Sequence, residues 1–331
     1  MNKIAKLNSI LMWCTMILVL IFAPIVLPVF GIEMATEIVI FSLFAISINL
    51  LIKYIGLVSF GHAAFFGVGA YIVAIVLKSV AGFPLFGLLL LSIGSAVLLA
   101  AIIGFFSVRS SPSYFPLLVL AFQMLLLTIA MKWRSLTGGD DGMPIIRPDF
   151  YLPIIGEINL IDSVNMYYLS LVIVIMALFL VYLALKTPLG NAFLCTKINP
   201  SRASHLGYNI LLIRWIAFVL SGAMAGLAGG LYVIFQEFVA TTTMDLHMSF
   251  TAFMMVLIGG TAYYLGPVLG VTFYILMTYF LSDITPHWQL YLGVMFIIIV
   301  KYSEGGLVGL IEKLRDIFSH TTKEVFNDVN T

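Results

Sequence analysis

The sequence predicts an all-α fold, a polytopic transmembrane helical bundle of about 8–10 spans. Of the 331 residues, 62% are hydrophobic and only 9% are charged, whereas soluble domains carry about 25% charged residues. So few charges cannot cover a surface that faces water, and the surface is therefore expected to face lipid. The apolar runs do not alternate with polar residues as the strands of a transmembrane β-barrel do.

Ten apolar runs are candidates for helices in or through the membrane. Their predicted bounds are 9–30, 35–55, 57–77, 84–107, 114–132, 165–186, 213–235, 250–263, 266–282 and 288–300. The sequence leaves open whether runs 57–77 and 250–263 cross the membrane fully or are re-entrant or broken helices. Such helices are tolerated where the chain is buried in protein or lines a cavity. The first run follows Lys3 and Lys6 but is too long for the core of a signal peptide, and it predicts an uncleaved span.

The basic residues indicate the orientation. With a cytoplasmic N-terminus and ten crossings, 12 of the 16 Lys and Arg residues fall on the cytoplasmic side, as the positive-inside rule requires. An eight-span arrangement with two re-entrant segments places the loops and their basic residues on the same sides of the membrane. Ten of the 15 acidic residues, Glu37 among them, fall outside. We expect a multi-pass protein of the inner or plasma membrane with both termini in the cytoplasm, a membrane domain over 1–310 and a cytoplasmic tail over 311–331.

Two long loops are candidate contact surfaces. The cytoplasmic loop 187–213 lies between basic residues, contains no acidic residue, and is where a soluble motor protein would bind. The outer loop 133–164 contains TGGDDG, whose glycines and aspartates favour turns. An external partner is expected to dock there, at Gly138, Gly139, Asp140 and Asp141. The ligand spacing of a calcium-binding EF-hand is absent from this loop.

The segment 56–76 contains the candidate pathway. Its glycines alternate with bulky aromatic residues, and small residues let helices approach closely in lipid or unwind beside a pathway. His62 is the one titratable histidine in this run; it is either a pathway or gating group or an interface histidine bonded to a neighbouring carbonyl. The predicted pathway or gating residues are Ser59, Gly61, His62, Gly67 and Gly69.

Two further features concern packing. Gly222, Gly226 and Gly230 recur at four-residue steps and predict a surface for close helix packing. Gln123 lies in the middle of a span, where it faces the transport route or bonds across a helix interface; we favour the second interpretation.

The side chains that enzymes and ion-coupled transporters require are missing. The five histidines are scattered without an HExxH motif, and Cys14 and Cys195 form no metal-ligand cluster. We therefore expect no metal site, no catalytic residue and no enzyme activity. Nearly every acidic residue maps to a loop, which argues against an ion-coupled secondary transporter. A net charge of +1 gives no reason to expect nucleic-acid binding.

Four stretches carry a resemblance to a known family. They are VSFGHAAFFGVGAY (58–71), LTGGDDGM (136–143), the loop and helix over 189–239, and IGGTAYYLGPVLG (258–270). Together they resemble the permease subunits of ABC importers for branched-chain amino acids, specifically the longer of two permease types. The resemblance covers most of residues 36–310 in the expected order.

The resemblance implies a function and a set of partners. The partners would be a second permease subunit, two cytoplasmic ATP-binding subunits, an extracytoplasmic substrate-binding protein and the lipid bilayer. The chain itself would bind no cofactor, because ATP and Mg belong to the partner ATPases and the sequence lacks a G-x-x-x-x-G-K-[ST] loop. The expected function is uptake of Leu, Ile or Val by alternating access, with urea or a short-chain amide as the alternative substrate. The coupling residues would be Gly190, Lys197, Asn199, Arg202, Leu206 and Gly207.

Overall fold

The computed structural model describes residues 22–80, 82–148, 150–152, 156–303 and 305–310. Most of the first predicted span, both termini and the tail 311–331 therefore lie outside the described residues. Together with two short helices, α5 and α8, the longer helices are α1 (Val29–Leu50), α2 (Ala63–Ser79), α3 (Leu85–Ser107), α4 (Phe115–Lys132), α5 (Arg134–Thr137), α6 (Ser163–Lys186), α7 (Pro188–Ile198), α8 (Pro200–His205), α9 (Ile210–Gln236), α10 (Leu246–Gly259), α11 (Gly266–Ile284) and α12 (Trp288–Tyr302).

By length and composition, six helices within the described residues are able to cross a membrane. They are α1 together with the π-helical turn Leu51–Ile55 that extends it, α3, α4, α6, α9 and α11. The helices α2, α10 and α12 are apolar but shorter. These findings confirm the predicted all-α polytopic bundle.

The helix α1 forms the centre of the bundle. Of its most apolar window, 78% is buried inside the protein, compared with 28–33% for α3, α4, α6 and α11. The outer helices therefore present most of their apolar surface to lipid, while α1 is surrounded by protein.

The helix α9 packs closely on α3 through the predicted glycine stripe. A Cβ placed on Gly222 or Gly226 would lie 2.6 or 2.2 Å from the Cβ of an α3 alanine. On Gly230 it would lie 2.6 Å from the hydroxyl of Ser92, which itself donates a hydrogen bond to the Gly226 carbonyl at 2.6 Å. The glycines thus allow two helix backbones to meet with almost no side chain between them.

Two short strand pairs lie at one end of the bundle. The strands β1 (Met143–Pro144) and β4 (Phe238–Val239) pair antiparallel, as do β2 (Phe150–Leu152) and β3 (Gly156–Ile158). We refer to this end as the strand end, and to the opposite end, which holds α7 and α8, as the loop end. The pairing of β1 with β4 joins the outer loop to the segment that follows α9.

Candidate functional site

Two breaks in regular helix reach the middle of the bundle, and they form the candidate functional site. The first break, residues 56–62, separates α1 from α2. The second break, residues 237–245, separates α9 from α10 and contains β4 and a 3₁₀ turn. Irregular backbone at membrane depth occurs where it is buried in protein or lines a cavity. A pathway is therefore expected beside these breaks.

The two breaks begin at opposite ends of the bundle, because α1 and α9 are antiparallel neighbours. Ser221 of α9 bonds the backbone carbonyl of Ser47 on α1. Tyr232, eleven residues later on α9, packs edge-on against Phe41, six residues earlier on α1. The first break thus starts at the loop end and the second at the strand end.

Both breaks reach similar depths. The first break ends at His62, whose ring bonds Ser221 at the level of Ser47. Ser47 is eight residues before the end of the π-helical turn, or about 12 Å along the helix. In the second break, the Met244 carbonyl accepts a hydrogen bond from Gln123 at 2.9 Å. Gln123 is nine residues before the end of α4, or about 14 Å. In a membrane core about 30 Å thick, the breaks meet near the middle.

A chain of buried hydrogen bonds runs through His62. The side chains of Ser59, His62 and Ser221 are fully buried. Ser59 Oγ lies 3.1 Å from His62 Nδ1, and Ser221 Oγ lies 2.8 Å from His62 Nε2. Ser221 Oγ also donates to the Ser47 carbonyl at 2.5 Å. The chain therefore connects the first break to both α9 and α1.

The last bond of this chain fixes the direction of the others. A carbonyl oxygen only accepts, so the single hydroxyl proton of Ser221 is committed to Ser47. Ser221 Oγ must then accept from His62, which places a proton on His62 Nε2. Burial disfavours a charged ring, so Nδ1 carries no proton and accepts from Ser59. His62 is thus a neutral histidine with one assigned tautomer, held by two serines rather than by a neighbouring carbonyl.

A second buried chain joins the start of α2 to the second break. The backbone N–H of Ala63 donates to Ser249 Oγ at 2.9 Å, and Ser249 Oγ donates to Gln123 Oε1 at 2.9 Å. The amide of Gln123 then donates to the Met244 carbonyl. Ser249 belongs to α10, and Gln123 bonds across a helix interface. One orphan N–H of the buried first turn of α2 is satisfied in this way.

The predicted pathway glycines are contact positions in this conformation. A Cβ on Gly61 or Gly69 would lie 2.3 Å from a carbonyl oxygen of α4 or α9. A Cβ on Gly67 would lie 2.1 Å from the Met244 side chain. The structure therefore brings Ser59, His62 and the three glycines together around the first break, but no open space separates them from their neighbours.

The loop 187–213 folds into two helices because each helix begins with a capping residue and a proline. Pro188 and Pro200 occupy the first turns of α7 and α8, where proline is tolerated. Thr187 caps α7 by accepting the Leu189 N–H, and Asn199 caps α8 by accepting the Arg202 N–H at 3.0 Å. The predicted coupling residue Asn199 thus has a structural role within the loop.

Lys197 joins this loop to the end of α1. Its Nζ donates to the carbonyls of Ile52 at 3.1 Å and Lys53 at 2.8 Å. The carbonyls of a last helical turn lack partners within the helix, and a cation there also interacts favourably with the helix dipole. The stem of Lys197 passes Gly56, where a Cβ would lie 3.3 Å from Lys197 Cγ. The first break begins at this glycine.

The other predicted coupling residues differ in their exposure. Leu206 is 70% exposed and Ile198, which the sequence did not single out, is 81% exposed. Arg202 is exposed as well, and Gly207 faces open space with φ +89° at the end of α8. Gly190 is buried, with a Cβ position only 1.9 Å from a backbone oxygen. The groups open to a partner therefore include two apolar side chains and an arginine.

Arg147 connects the loop 133–164 to the helical bundle through an ion pair and hydrogen bonds. Its Nε lies 2.7 Å from a carboxylate oxygen of Glu237, and its guanidinium donates to the carbonyls of Leu160 at 2.6 Å and Phe235 at 2.8 Å. Phe235 is in the last turn of α9, and Glu237 begins the second break. The outer loop is therefore tied directly to that break.

The predicted docking residues of this loop divide into two kinds. Asp140 and Asp141 are exposed at the strand end. Gly138 and Gly139 have φ values of +77° and +64°, which glycine adopts without strain, and Gly139 is buried. The glycines shape the turn, and the two aspartates are the groups that face outward.

Several residues of the two chains escaped the sequence analysis. Ser47, Ser221 and Ser249 lie in apolar runs, where serine commonly bonds the carbonyl of the preceding turn. Ser42 and Ser47 of α1 do so with Ile38 and Phe44, and Ser47 joins the first chain only through its backbone carbonyl. No local signal distinguishes Ser221 and Ser249, because the partners of their side chains are distant in sequence.

The sequence profile of a family described as "Branched-chain amino acid transport system / permease component" matches residues 31–300. The chain is similar to the high-affinity branched-chain amino acid transport permease LivM of Salmonella typhimurium, with 24% identity over 302 residues, covering 84% of this chain and 70% of that protein. It is also similar to a probable LivM of Methanocaldococcus jannaschii, with 25% identity over 317 residues, covering 80% and 89% of the two chains. A probable LivH permease of the same organism is 34% identical over 115 residues, 34% of this chain and 36% of that one.

Proposed function

This chain belongs to the family of branched-chain amino acid transport permease components, and we propose that it is the membrane subunit of an ATP-driven importer of leucine, isoleucine and valine. The family match over residues 31–300 carries the proposal. The similarity to two LivM proteins along most of the chain supports the substrate class. The six long apolar helices agree with a multi-pass membrane subunit.

The two ends of the bundle supply surfaces for the partners. At the loop end, Leu206, Ile198 and Arg202 are exposed, and a cytoplasmic ATP-binding subunit would bury the two apolar side chains. At the strand end, exposed Asp140 and Asp141 would meet the substrate-binding protein. The excess of basic residues at the loop end supports a cytoplasmic position for it. A second permease subunit would complete the pathway, as the match to both LivM and LivH relatives suggests.

The coupling mechanism that we propose is alternating access, transmitted through α1. Movement of the ATP-binding subunits would displace α7 and α8. Lys197 bonds α7 to the last carbonyls of α1, so the displacement would reach Gly56 and the first break. His62, at the inner end of that break, would pass it to α9 through Ser221. ATP can drive such a change only if its binding favours one arrangement over the other.

Uptake into proteoliposomes tests the proposal. The chain would be reconstituted with its second permease and ATP-binding subunits, and radiolabelled leucine, isoleucine, valine or urea would be supplied with the matching binding protein. We expect ATP-dependent leucine uptake that falls in Leu206→Ala but not in Leu90→Ala, a leucine of α3 that is similarly exposed. Uptake of urea alone would overturn the substrate, and uptake driven by an ion gradient without ATP-binding subunits would overturn the whole proposal.

A further inference from the structure

One carboxylate lies much deeper in the bundle than the sequence indicated. Glu37, at the outer end of the predicted run 35–55, was assigned to the outside, but α1 begins at Val29. Glu37 is therefore about 12 Å along a continuous helix of 27 residues. This places it about 8 Å from the midpoint of the helix, within a hydrocarbon core whose half-thickness is about 15 Å. Glu37 is therefore an exception to the prediction that nearly every acidic residue lies in a loop.

The surroundings of Glu37 are rich in hydroxyl and aromatic groups. Tyr279 of α11 donates its hydroxyl to Glu37 Oε2 at 3.0 Å. Tyr232 of α9 lies within electrostatic reach of the same carboxylate, and its hydroxyl accepts a hydrogen bond from Gln236 at 3.2 Å. Glu33, one turn outward on α1, is a second carboxylate within reach of Tyr279. Glu37, Tyr232 and Tyr279 are all half-buried.

No cation balances this carboxylate in the described part of the chain. The ion pair found there joins Arg147 to Glu237, and none involves Glu37. An ionisable group at membrane depth normally faces a pathway or is paired, because exposure to lipid is costly. The neighbour that adds charge, Glu33, has the same sign. The described residues thus offer no positive partner for this carboxylate.

We propose that Glu37, with Tyr279 and Tyr232, binds the ammonium group of the amino acid as it enters the pathway from the strand end, an inference that rests on the proposed function. A primary ammonium has three N–H donors in a compact group. Carboxylate and tyrosyl oxygens accept these donors, and the faces of the two tyrosine rings attract the charge. The apolar helices around the site suit the branched side chain of the same substrate.

The chemistry fits an ammonium better than a metal cation. Calcium takes six to eight oxygen ligands and magnesium about six in strict geometry. Among the described residues, the Glu37 cluster offers one carboxylate and two phenolic oxygens, with Glu33 a turn away. These groups supply acceptors for the three N–H donors of an ammonium but too few oxygens for either metal.

Inhibition of uptake by fragments of leucine tests the proposal. Leucine uptake would be measured with the complete transporter, ATP and saturating loaded binding protein, in vesicles of phosphatidylcholine and phosphatidylglycerol, which contain no primary ammonium. The two probes are 3-methylbutylamine, which keeps the ammonium, and 4-methylpentanoate, which keeps the carboxylate. The variants are Glu37→Gln, Tyr279→Phe and the control Asp283→Asn, whose side chain is exposed four residues after Tyr279 on α11.

We expect the amine, and not the carboxylate, to inhibit the wild type. Glu37→Gln should lose this inhibition and lower uptake about tenfold or more, because a charge-assisted hydrogen bond is removed. Tyr279→Phe keeps the carboxylate and should weaken amine inhibition several-fold, which keeps the test valid if Glu37→Gln does not fold. Asp283→Asn should behave as the wild type.

Other outcomes overturn the proposal. Equal inhibition by the two probes, absence of amine inhibition in the wild type, or unchanged amine inhibition in Glu37→Gln would each reject the ammonium site. An effect of Glu37→Gln that appears only when phosphatidylethanolamine is added would assign the site to a lipid headgroup. If the wild type transports no leucine at all, the proposed function fails; if it transports leucine and Glu37→Gln does so equally well, only the site fails.

Discussion

The bond between Lys197 and the end of α1 gives the sharpest prediction, because one substitution removes both of its hydrogen bonds. In Lys197→Met the side chain keeps its length but loses two hydrogen bonds of 2.8 and 3.1 Å. A hydrogen bond to a charged group contributes about 1.5–3 kcal/mol when buried. Lys197 is exposed, so solvent screening reduces the pair to about 1 kcal/mol. That free energy corresponds to a roughly fivefold change in an equilibrium.

The assay is the number of leucine molecules transported per ATP hydrolysed in proteoliposomes. We expect this ratio to fall up to about fivefold in Lys197→Met, while the ATP-binding subunits still copurify with the membrane subunits. Lys186→Met is the matched control, since Lys186 lies over the Tyr182 ring at the same end of the bundle and has no bond to α1. An unchanged ratio would refute transmission through Lys197. Loss of the ATP-binding subunits from the complex would show instead that Lys197 acts in docking.

Three further substitutions test the packing of the site. Ser221→Ala leaves the His62 Nε2–H unpaired in a buried place and should lower the free energy of unfolding by about 1–3 kcal/mol; an unchanged midpoint in a denaturant titration would contradict the assigned bond. Gly226→Ala places a Cβ 2.2 Å from another Cβ and should lower the unfolding temperature, whereas Gly94→Ala meets open space and should not; equal effects would argue against the close helix contact. Arg147→Met removes the ion pair of the outer loop and should speed its cleavage in limited proteolysis, while a cleavage rate equal to the wild type would mean that the loop is held elsewhere.

The sequence predicted the membrane helices well because their lengths follow from a bilayer of nearly constant thickness. The predicted run 84–107 is the helix Leu85–Ser107, and the run 266–282 is Gly266–Ile284. The exception was α1, whose first turns hold Glu33 and Glu37. Hydrophobicity placed the start of the predicted run at residue 35, between these two acids, although helix geometry allows the helix to continue outward past Glu33.

The functional contacts were harder to predict, because their partners are distant in sequence. His62 was singled out as the polar residue in an apolar run, but its acceptor Ser221 is 159 residues away. Lys197 was recognised as a basic residue of the loop, whereas its bonds to α1 span 144 and 145 residues. Composition and periodicity describe the neighbourhood of a residue along the chain and carry no information on these tertiary pairs.

The glycine contacts of α9 restrict the ways in which the bundle can change shape. A Cβ on Gly229 would lie 1.8 Å from the Phe66 carbonyl oxygen of α2, and Gly226 meets α3 on another side. Sliding α9 by even one residue would push a larger side chain into a neighbouring backbone, so α2, α3 and α9 are expected to move as one rigid body. Bending is then left to the two stretches that lack regular helical bonds, 56–62 and 237–245. Because these hinges lie on opposite ends of the same block, a tilt that opens one side of the membrane would close the other.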